Sequence, residues 1–216
     1  MSLPAPDRTC LIFDFDGTIA DSAAVGQEVF NQLAEKYGFR PVAAEEIKIL
    51  RGMTTSQCLR HCRVPRLKLP AILIEARQLL AARMDEILPC EGIVEVLPEL
   101  SRKFTLLGIL TSNSEANVRR FLEKYGLDCF DFVSTVPKLT GKARRLRTLI
   151  KAHGLAPENV IFAGDESRDM KAAQKAGVHG AGVLWGTNSS APLALYAPRW
   201  ILESPAELLQ LAPDGM

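Results

Sequence analysis

The chain has 216 residues, of which 47% are hydrophobic and 24% are charged, and its formal net charge is +1. This length suffices for one sizeable domain, or for a core domain with a smaller insert, and the balanced charge excludes a general bias toward nucleic acid or membrane surfaces. No stretch reaches the roughly 18 apolar residues of a membrane span, and five scattered cysteines predict reduced thiols rather than a disulfide framework. We therefore expect a cytoplasmic monomer or homodimer without a nucleic-acid or membrane partner.

The first predicted element is a buried strand, Cys10–Phe13, which leads directly into two aspartates, Asp14 and Asp16. The Gly17-Thr18 pair ends the strand, so both carboxylates fall at its carboxyl end, where open α/β sheets bind their ligands. Asp14 is a candidate nucleophile able to form an acyl-phosphate, and Asp16 is a candidate proton donor and acceptor. The pair also suggests a magnesium site, because hard divalent cations prefer oxygen ligands. The alternative is a solvated turn rich in Asp and Gly, which the preceding apolar run disfavours.

Residues 19–88 are predicted to form an all-helical insert, because apolar residues recur there at helical spacing and no alternating strand pattern intervenes. The insert leaves and rejoins the rest of the chain at 19–22 and 89–92. This predicts a cap domain at 19–88 and a core domain made of 1–18 and 89–216. The predicted helices of the insert are Ala23–Tyr37, 44–50, 54–62 and 69–88.

From residue 91 onward, short apolar strands alternate with helices, which is typical of a parallel sheet built from right-handed crossovers. The pattern predicts an α/β fold with a Rossmann-like, three-layer α/β/α core around a parallel sheet, interrupted after its first strand by the helical cap domain. The predicted strands are 106–110, 132–136, 160–163, 181–184 and Trp200–Leu202. The predicted helices are 91–103, Glu115–Tyr125, 142–153 and 169–176.

A polar run follows the second core strand. Thr111, Ser112 and Asn113 come directly after strand 106–110 and before a helix begins. Hydroxyls and free N–H groups at such a strand end suit an anion such as phosphate. The alternative is an ordinary helix N-cap, for which Ser and Asn are favoured for local reasons.

A further acidic strand end follows strand 160–163. We expect Asp165 to complete a magnesium site with the Asp14 carboxylate and the Asp16 main-chain carbonyl. Asp169 fits a supporting position that holds a metal-bound water or a lysine, with helix capping as the alternative. Whether Glu166 adds to metal binding is left open.

Two lysines lie between these strand ends, Lys138 and Lys142, and either could neutralise a phosphate group. Lys142 is preferred, because it follows Gly141 at the start of the predicted helix 142–153 and so lies at the carboxyl edge of the sheet. Lys138 is predicted to be a solvent-exposed lysine in a loop, and the sequence leaves the choice between the two lysines open.

Four motifs in this order resemble those of the haloacid dehalogenase superfamily, and the whole chain resembles its phosphoglycolate phosphatase-like branch with a helical cap of the C1 type. The motifs are DFDGT at 14–18, TSN at 111–113, GK at 141–142 and GDESRD at 164–169. The resemblance implies a magnesium-dependent phosphatase that passes through an aspartyl-phosphate on Asp14. It implies Asp16 as the acid and then the base, and because dehalogenases lack this second acid, it favours phosphate over halide substrates.

From the matching motifs, the resemblance implies that Thr111 and Asn113 contact the phosphate and that Lys142 is the third-motif lysine. It also implies that Asp165 is a metal ligand and that Asp169 supports the site. Many relatives have Lys-Pro in the third motif, whereas this chain has Lys142-Ala143. That departure keeps the choice between the two lysines open.

The insert is expected to hold substrate specificity, since in relatives with this layout the helical cap closes over the core. Arg51, beside Gly52, is the candidate for reading a carboxylate or a second phosphate, with an exposed helix-end arginine as the alternative. Four other cations of the insert read as a solvated basic face that could also bind anions: Arg60, Arg63, Arg66 and Lys68.

The leading functional hypothesis is a phosphatase for a small phosphorylated metabolite such as phosphoglycolate, with Mg²⁺ as cofactor. The alternatives are a phosphotransferase such as a sugar-phosphate mutase, and a catalytically silent binding module.

Overall fold

The computed structural model describes residues 8–136 and 141–212, and in this part of the chain it has eight strands. They are β1 Cys10–Phe13, β2 Ala20–Asp21, β3 Leu88–Pro89, β4 Leu106–Thr111, β5 Phe132–Thr135, β6 Val160–Gly164, β7 His179–Val183 and β8 Trp200–Leu202. Six of them form one parallel sheet in the order β5-β4-β1-β6-β7-β8. The predicted parallel sheet is confirmed, with β1 at its centre.

Nine α-helices lie in the described residues. They are α1 Ala23–Tyr37, α2 Ile47–Arg51, α3 Thr55–His61, α4 Leu69–Ala82, α5 Ile93–Lys103, α6 Glu115–Tyr125, α7 Lys142–Ala152, α8 Ser167–Ala176 and α9 Ser190–Ala194. None of them is long and apolar enough to cross a membrane.

Alternating side chains of β1 explain the three layers. Leu11 and Phe13 belong to an apolar cluster that includes Leu97 of α5 and Phe121 of α6. Cys10 and Ile12 face the other way, into a second cluster with residues of α7 and α8. Because successive strand side chains point to opposite faces, the apolar run of β1 is buried on both sides, and the predicted α/β/α core is confirmed.

The chain between β1 and α5 is mainly helical, as predicted, but it begins and ends in a short antiparallel pair. Ala20 of β2 pairs with Pro89, and Asp21 pairs with Leu88 of β3. The two passages of the chain therefore run side by side at the base of the helical segment. The domain limits at 18/19 and 88/89 remain a prediction.

The predicted helix 69–88 is too long, because α4 ends at Ala82. A 3₁₀ turn, Met84–Glu86, follows, and Ile87 is extended with φ −83° and ψ 130°. Pro89 explains why the helix does not reach residue 88, because its ring disfavours the helical conformation for the preceding residue. Leu88 is free instead to pair with β2.

Several other boundaries differ from the prediction by a few residues. Helix 91–103 begins at Ile93, because Gly92 adopts φ 82°. Helix 169–176 begins at Ser167, because Asp169 accepts a hydrogen bond from the Glu166 N–H and so closes the first turn earlier. Segment 44–50 divides into a 3₁₀ turn, Ala44–Glu46, and α2.

Arg63 follows α3 in a left-handed conformation, with φ 56°. The Val64 N–H donates to the Leu59 carbonyl at 2.9 Å, which is a helix ending that glycine normally supplies. We predict that Arg63→Gly raises the free energy of unfolding by about 0.5–1 kcal/mol, because removing the Cβ relieves the left-handed strain. Urea denaturation measures this change.

Arg60→Gly is the matched control, since Arg60 lies inside α3. There the same substitution is expected to lower the free energy of unfolding by about 1 kcal/mol. Equal effects of the two substitutions would show that the conformation of Arg63 carries no strain.

Candidate active site

The site lies at the carboxyl edge of the sheet, where β1 and β6 end side by side. Phe13 is in register with Ala163, and the Asp14 N–H donates to the Ala163 carbonyl at 2.8 Å. Asp14 and Asp165 follow these two strands directly, as the sequence predicted from strand ends alone. Parallel pairing of neighbouring strands therefore brings two acids together that are far apart in the chain.

Asp14 is buried, and both of its oxygens have donors. Oδ1 accepts from the Phe15 N–H at 2.7 Å, and Oδ2 lies 2.5 Å from Lys142 Nζ. Burial raises the pKa of Asp14 well above its ordinary value, while the positive charge of Lys142 acts against that rise. The carboxylate therefore depends on the lysine for its negative charge.

Lys142 is the first residue of α7 and is buried between two carboxylates. Its Nζ lies 2.5 Å from Asp14 Oδ2 and 2.6 Å from Asp169 Oδ1. Burial by itself would lower the pKa of Lys142, but the two carboxylates outweigh it and raise that pKa, so the ammonium stays charged. The other lysine considered, Lys138, lies outside the described residues.

Asp165 is fully buried and is held from two sides. The Thr18 hydroxyl donates to its Oδ1 at 3.2 Å, and the Thr187 N–H donates to its Oδ2 at 2.7 Å. Burial, together with the nearby charges of Glu166 and Asp169, raises the pKa of Asp165 to about 7. The carboxyl group thus titrates close to neutral pH in the absence of a cation.

Carboxylate oxygens of Asp14, Asp165 and Asp169 lie within 4.8 Å of one another. Three buried carboxylates against one lysine leave an excess of negative charge, and carboxylate oxygens are the donors that Mg²⁺ prefers. The residues present therefore fit a divalent cation. Asp169 lies in this cluster and also contacts Lys142 at 2.6 Å, which agrees with the prediction that it holds the lysine.

Asp16 faces the TSN motif. Asn113 Nδ2 donates to both carboxylate oxygens of Asp16, at 3.2 and 3.3 Å. Burial raises the pKa of Asp16, and the hydrogen bonds from Asn113 and Ser22 act against that rise. An aspartate held partly toward its protonated form is suited to donate a proton.

The other two residues of that motif lie at the end of β4. Thr111 is buried, and its Oγ1 accepts from the Asn113 N–H at 2.9 Å, which is local turn geometry, while Ser112 is half-buried. All three residues lie at the same sheet edge as the acids. Their contact with a phosphate remains a prediction.

Arg51 contacts the residue that follows β7. Its guanidinium donates to the Leu184 carbonyl at 2.7 Å, and its own carbonyl accepts from the Ser189 N–H at 2.8 Å. Glu166 likewise contacts the helical segment, because its Oε2 accepts from the Thr55 hydroxyl at 2.8 Å and its Oε1 lies 2.5 Å from Arg168. Both residues join the helical segment to the core in this conformation.

Sequence reasoning assigned no role to the loop after β7. An ideal Cβ on Gly186 would lie 2.2 Å from the Gly17 carbonyl oxygen and 2.3 Å from Asp165 Cβ, so only glycine fits there. The next residue, Thr187, supplies the N–H to Asp165, and Asn188 donates from Nδ2 to the Met53 carbonyl at 3.0 Å. The signal was available, because this loop also follows a core strand at the same edge of the sheet.

A parallel sheet with a buried carboxylate–lysine cluster at its carboxyl edge is the arrangement of an α/β enzyme, in which ligands bind at that edge. The chain belongs to the haloacid dehalogenase-like hydrolase family, whose model matches residues 11–183. The predicted family resemblance is thereby confirmed.

Individual relatives agree with this assignment over nearly the full chain. A phosphoglycolate phosphatase from Synechococcus elongatus is 31% identical over 95% of this chain and 98% of its own length. A pyrophosphatase from Bacillus cereus is 24% identical over 94% of this chain and 96% of its own. The solved structure of a haloacid dehalogenase-like hydrolase from Streptococcus pneumoniae aligns with a TM-score of 0.79 and 25% identity, covering 94% of this chain and 98% of that one.

Proposed function

We propose that this chain is a phosphomonoester hydrolase that requires Mg²⁺ and acts on a small organic phosphate such as phosphoglycolate, through an aspartyl-phosphate on Asp14. The observation that carries the proposal is the 2.5 Å contact between Asp14 Oδ2 and Lys142 Nζ, beside a second aspartate with a raised pKa. The name of the phosphoglycolate phosphatase relative supports the same reaction, and the name of the pyrophosphatase relative supports hydrolysis at phosphorus more generally.

In the first step a carboxylate oxygen of Asp14 forms a bond to phosphorus, and the bond from phosphorus to the leaving-group oxygen breaks. Asp16 gives its proton to that oxygen, so the leaving group departs as a neutral alcohol. The two aspartates have different roles because their surroundings differ. Burial raises the pKa of both carboxyl groups, but Asp14 lies 2.5 Å from the positive charge of Lys142, whereas Asp16 accepts hydrogen bonds from the neutral amide of Asn113.

In the second step Asp16, now a carboxylate, takes a proton from water. The water oxygen bonds to phosphorus, the bond between phosphorus and the Asp14 oxygen breaks, and inorganic phosphate leaves. Asp14 is again a carboxylate and Asp16 again carries its proton, so both groups end the cycle as they began. Lys142 balances the charge of the phosphoryl group in both steps.

The carboxylates of Asp14, Asp165 and Asp169 would hold the magnesium ion, with the main-chain carbonyl of Asp16 as a further predicted ligand. When bound, the cation supplies positive charge that offsets repulsion between a carboxylate and a phosphate dianion. A cytoplasmic location and a monomeric or homodimeric state remain predictions.

The experiment is a panel of phosphate monoesters with Mg²⁺, followed by acid quenching and mass spectrometry of the enzyme. We expect release of inorganic phosphate and one phosphoryl group on the peptide that contains Asp14. Phosphate release with no labelled peptide would refute the covalent intermediate. Exchange between substrate isomers would favour a mutase, and no reaction with any ester would favour a silent binding module.

Magnesium binding should depend on pH through Asp165. Its pKa of about 7 lies well above the ordinary value for an aspartate, so the folded protein holds this proton up to about pH 7 and must release it to bind the cation. Below pH 7 we expect the Mg²⁺ affinity to fall by about tenfold per pH unit, and above pH 7 to level off. Calorimetric titration with Mg²⁺ between pH 5.5 and about pH 8.5 measures this.

The raised pKa of Asp165 also makes the stability of the metal-free protein depend on pH. Because the folded pKa is raised, protonated Asp165 favours the fold at low pH, and this stability is lost as pH rises from about 4 to about 7. In Asp165→Asn both this loss and the pH dependence of Mg²⁺ binding should be reduced. An Mg²⁺ affinity that stays constant across the range would contradict the assignment.

A further inference from the structure

The loop between β7 and α9 contacts the acid cluster on one side and the helical segment on the other. The Thr187 N–H donates to Asp165 Oδ2 at 2.7 Å, and the Asn188 N–H donates to the Asp165 carbonyl at 3.0 Å. The next N–H along the chain, that of Ser189, donates to the Arg51 carbonyl at 2.8 Å. Three successive N–H groups therefore join a predicted metal ligand to the end of α2.

The side chain of Asn188 forms a second link between the same two parts of the molecule. It is buried, and both ends of its amide have partners. Oδ1 accepts from the Ser167 N–H at 2.9 Å, and Nδ2 donates to the Met53 carbonyl at 3.0 Å. Because one partner is a donor and the other is an acceptor, only this orientation of the amide satisfies both. One side chain thus holds the first residue of α8 against the connection between α2 and α3.

A further link starts from α3. The Thr55 hydroxyl donates to Glu166 Oε2 at 2.8 Å, and the Glu166 N–H donates to Asp169 Oδ2 at 3.2 Å. Asp169 in turn contacts Lys142 at 2.6 Å. The helical segment is therefore hydrogen-bonded to the residues that hold two of the three carboxylates of the acid cluster, Asp165 and Asp169.

The loop after β7 has no room to move independently of Asp165. A Cβ on Gly186 would lie 2.3 Å from Asp165 Cβ and 2.2 Å from the Gly17 carbonyl oxygen, so the loop backbone touches both residues. Tightly packed atoms transmit a displacement to their neighbours. A shift of Asn188 is therefore expected to displace the Asp165 carboxylate.

Magnesium binding is sensitive to such a displacement. The ion requires a near-octahedral set of oxygen ligands at about 2.0–2.1 Å, so carboxylates that are already held in place bind it more tightly than carboxylates that must first be ordered. Docking of the helical segment holds these carboxylates and should strengthen cation binding. Cation binding must then strengthen docking by the same factor, because thermodynamic linkage is reciprocal.

We propose that Asn188 and Glu166 are positioning residues that couple docking of the helical segment, at residues 51–55, to binding of the divalent cation at the acid cluster. Asn188 acts through Asp165 and Glu166 acts through Asp169, and neither side chain is itself a ligand. This inference rests on the cation site of the proposed function. It gives a role to the loop after β7, to which the sequence assigned none.

Hydrogen–deuterium exchange followed by mass spectrometry tests the coupling without turnover. We expect saturating Mg²⁺ to slow amide exchange in peptides that cover residues 47–61 about tenfold in the wild-type protein. Calorimetric titration of the same protein gives the Kd for Mg²⁺. The two measurements report on the helical segment and on the acid cluster separately.

Two variants remove the links one at a time. Asn188→Ala removes both side-chain hydrogen bonds, and Thr55→Val removes the hydroxyl bond to Glu166 while Thr54 still caps α3. In each variant the Kd for Mg²⁺ should rise about fivefold, and the slowing of exchange at 47–61 should fall below about threefold. Thr55→Val also provides the test if Asn188→Ala does not fold.

Each variant has a matched control. Asn31→Ala removes two side-chain hydrogen bonds of 2.9 and 2.8 Å, but both are to Val42 within the helical segment. Thr148→Val removes a hydroxyl bond to the Arg144 carbonyl in α7. Both controls should keep the Kd for Mg²⁺ within about twofold of the wild type and should keep the Mg²⁺ effect on exchange.

The outcomes separate the coupling from the proposed function. An undiminished Mg²⁺ effect on exchange in Asn188→Ala and Thr55→Val, or an equal loss of Mg²⁺ affinity in the controls, would overturn the coupling. Wild-type Mg²⁺ binding without slower exchange at 47–61 would also overturn it and would leave the proposed function intact. No Mg²⁺ binding by the wild-type protein would refute the cation site of the proposed function, and the coupling with it.

Discussion

Asp14→Asn is expected to lower phosphatase turnover by at least about 10⁴-fold and to leave the protein folded. The amide has the shape of the carboxylate, and its oxygen still accepts from the Phe15 N–H, but it is too weak a nucleophile to attack phosphorus. The fold should tolerate the change because burial already disfavours the charged form of Asp14, and Lys142 retains Asp169 as its partner. Steady-state kinetics and thermal unfolding of the purified variant measure the two effects.

Asp21→Asn is the matched control for this substitution. Asp21 lies in β2, seven residues further along the chain, and is exposed. The same change from acid to amide should therefore leave turnover within about twofold of the wild type. Substantial activity of Asp14→Asn would refute nucleophilic catalysis by Asp14. A parallel loss in Asp21→Asn would indicate that the helical segment, and not the nucleophile, had been disturbed.

Lys142→Met is expected to lower the free energy of unfolding by about 3–5 kcal/mol at pH 8 and to abolish turnover. The variant leaves Asp14 and Asp169 buried without their shared cation, and an unpaired buried charge is among the most destabilising changes known. Met has a similar length and fills the space of the lysine stem. The lower free energy of unfolding should therefore come from the missing charge more than from a cavity. Urea denaturation of the metal-free protein measures it.

The destabilisation of Lys142→Met should be smaller at low pH. Without the lysine, the pKa of Asp14 in the folded state rises further above its unfolded value, so the protonated group favours folding in acid and this contribution is lost as pH rises. Lys151→Met, an exposed position on the same helix, should change stability by no more than about 0.5 kcal/mol at either pH. Equal destabilisation of Lys142→Met at pH 5 and about pH 8 would contradict the charge argument.

The strand-end positions of the acids could be predicted because they depend on local pattern. A short apolar run followed by Asp-x-Asp-Gly, and a second run followed by Gly-Asp, place Asp14 and Asp165 where buried strands stop. Parallel strands end at the same edge, so the convergence of these groups followed from the fold class. The helix limits were predicted less well, because Pro89 and Gly92 act through backbone conformation that apolar spacing does not reveal.

The direction in which each side chain points could not be predicted from the sequence. Arg51 was the candidate for reading a substrate anion, and its guanidinium donates to the Leu184 carbonyl in this structure. Asp169 was expected to hold a metal-bound water or a lysine, and it contacts Lys142 at 2.6 Å while it lies within the acid cluster. Both outcomes depend on which backbone groups the packed core leaves within hydrogen-bond reach. The role of the Gly186 loop was not predicted for a related reason, since it lets backbone approach Asp165 closely and no charged residue marks it.

The sequence by itself determined the fold class, the family and the identity of the buried acids, because each depends on residues adjacent in the chain and on the apolar periodicity that forms the sheet. The tertiary structure decided which groups lie within reach of one another. Lys142 lies between Asp14 and Asp169, and Asn188 lies between Ser167 and Met53. These relations arise only when distant segments pack against one another and water is excluded, since charge interactions and pKa values are set by distance and burial rather than by order in the chain.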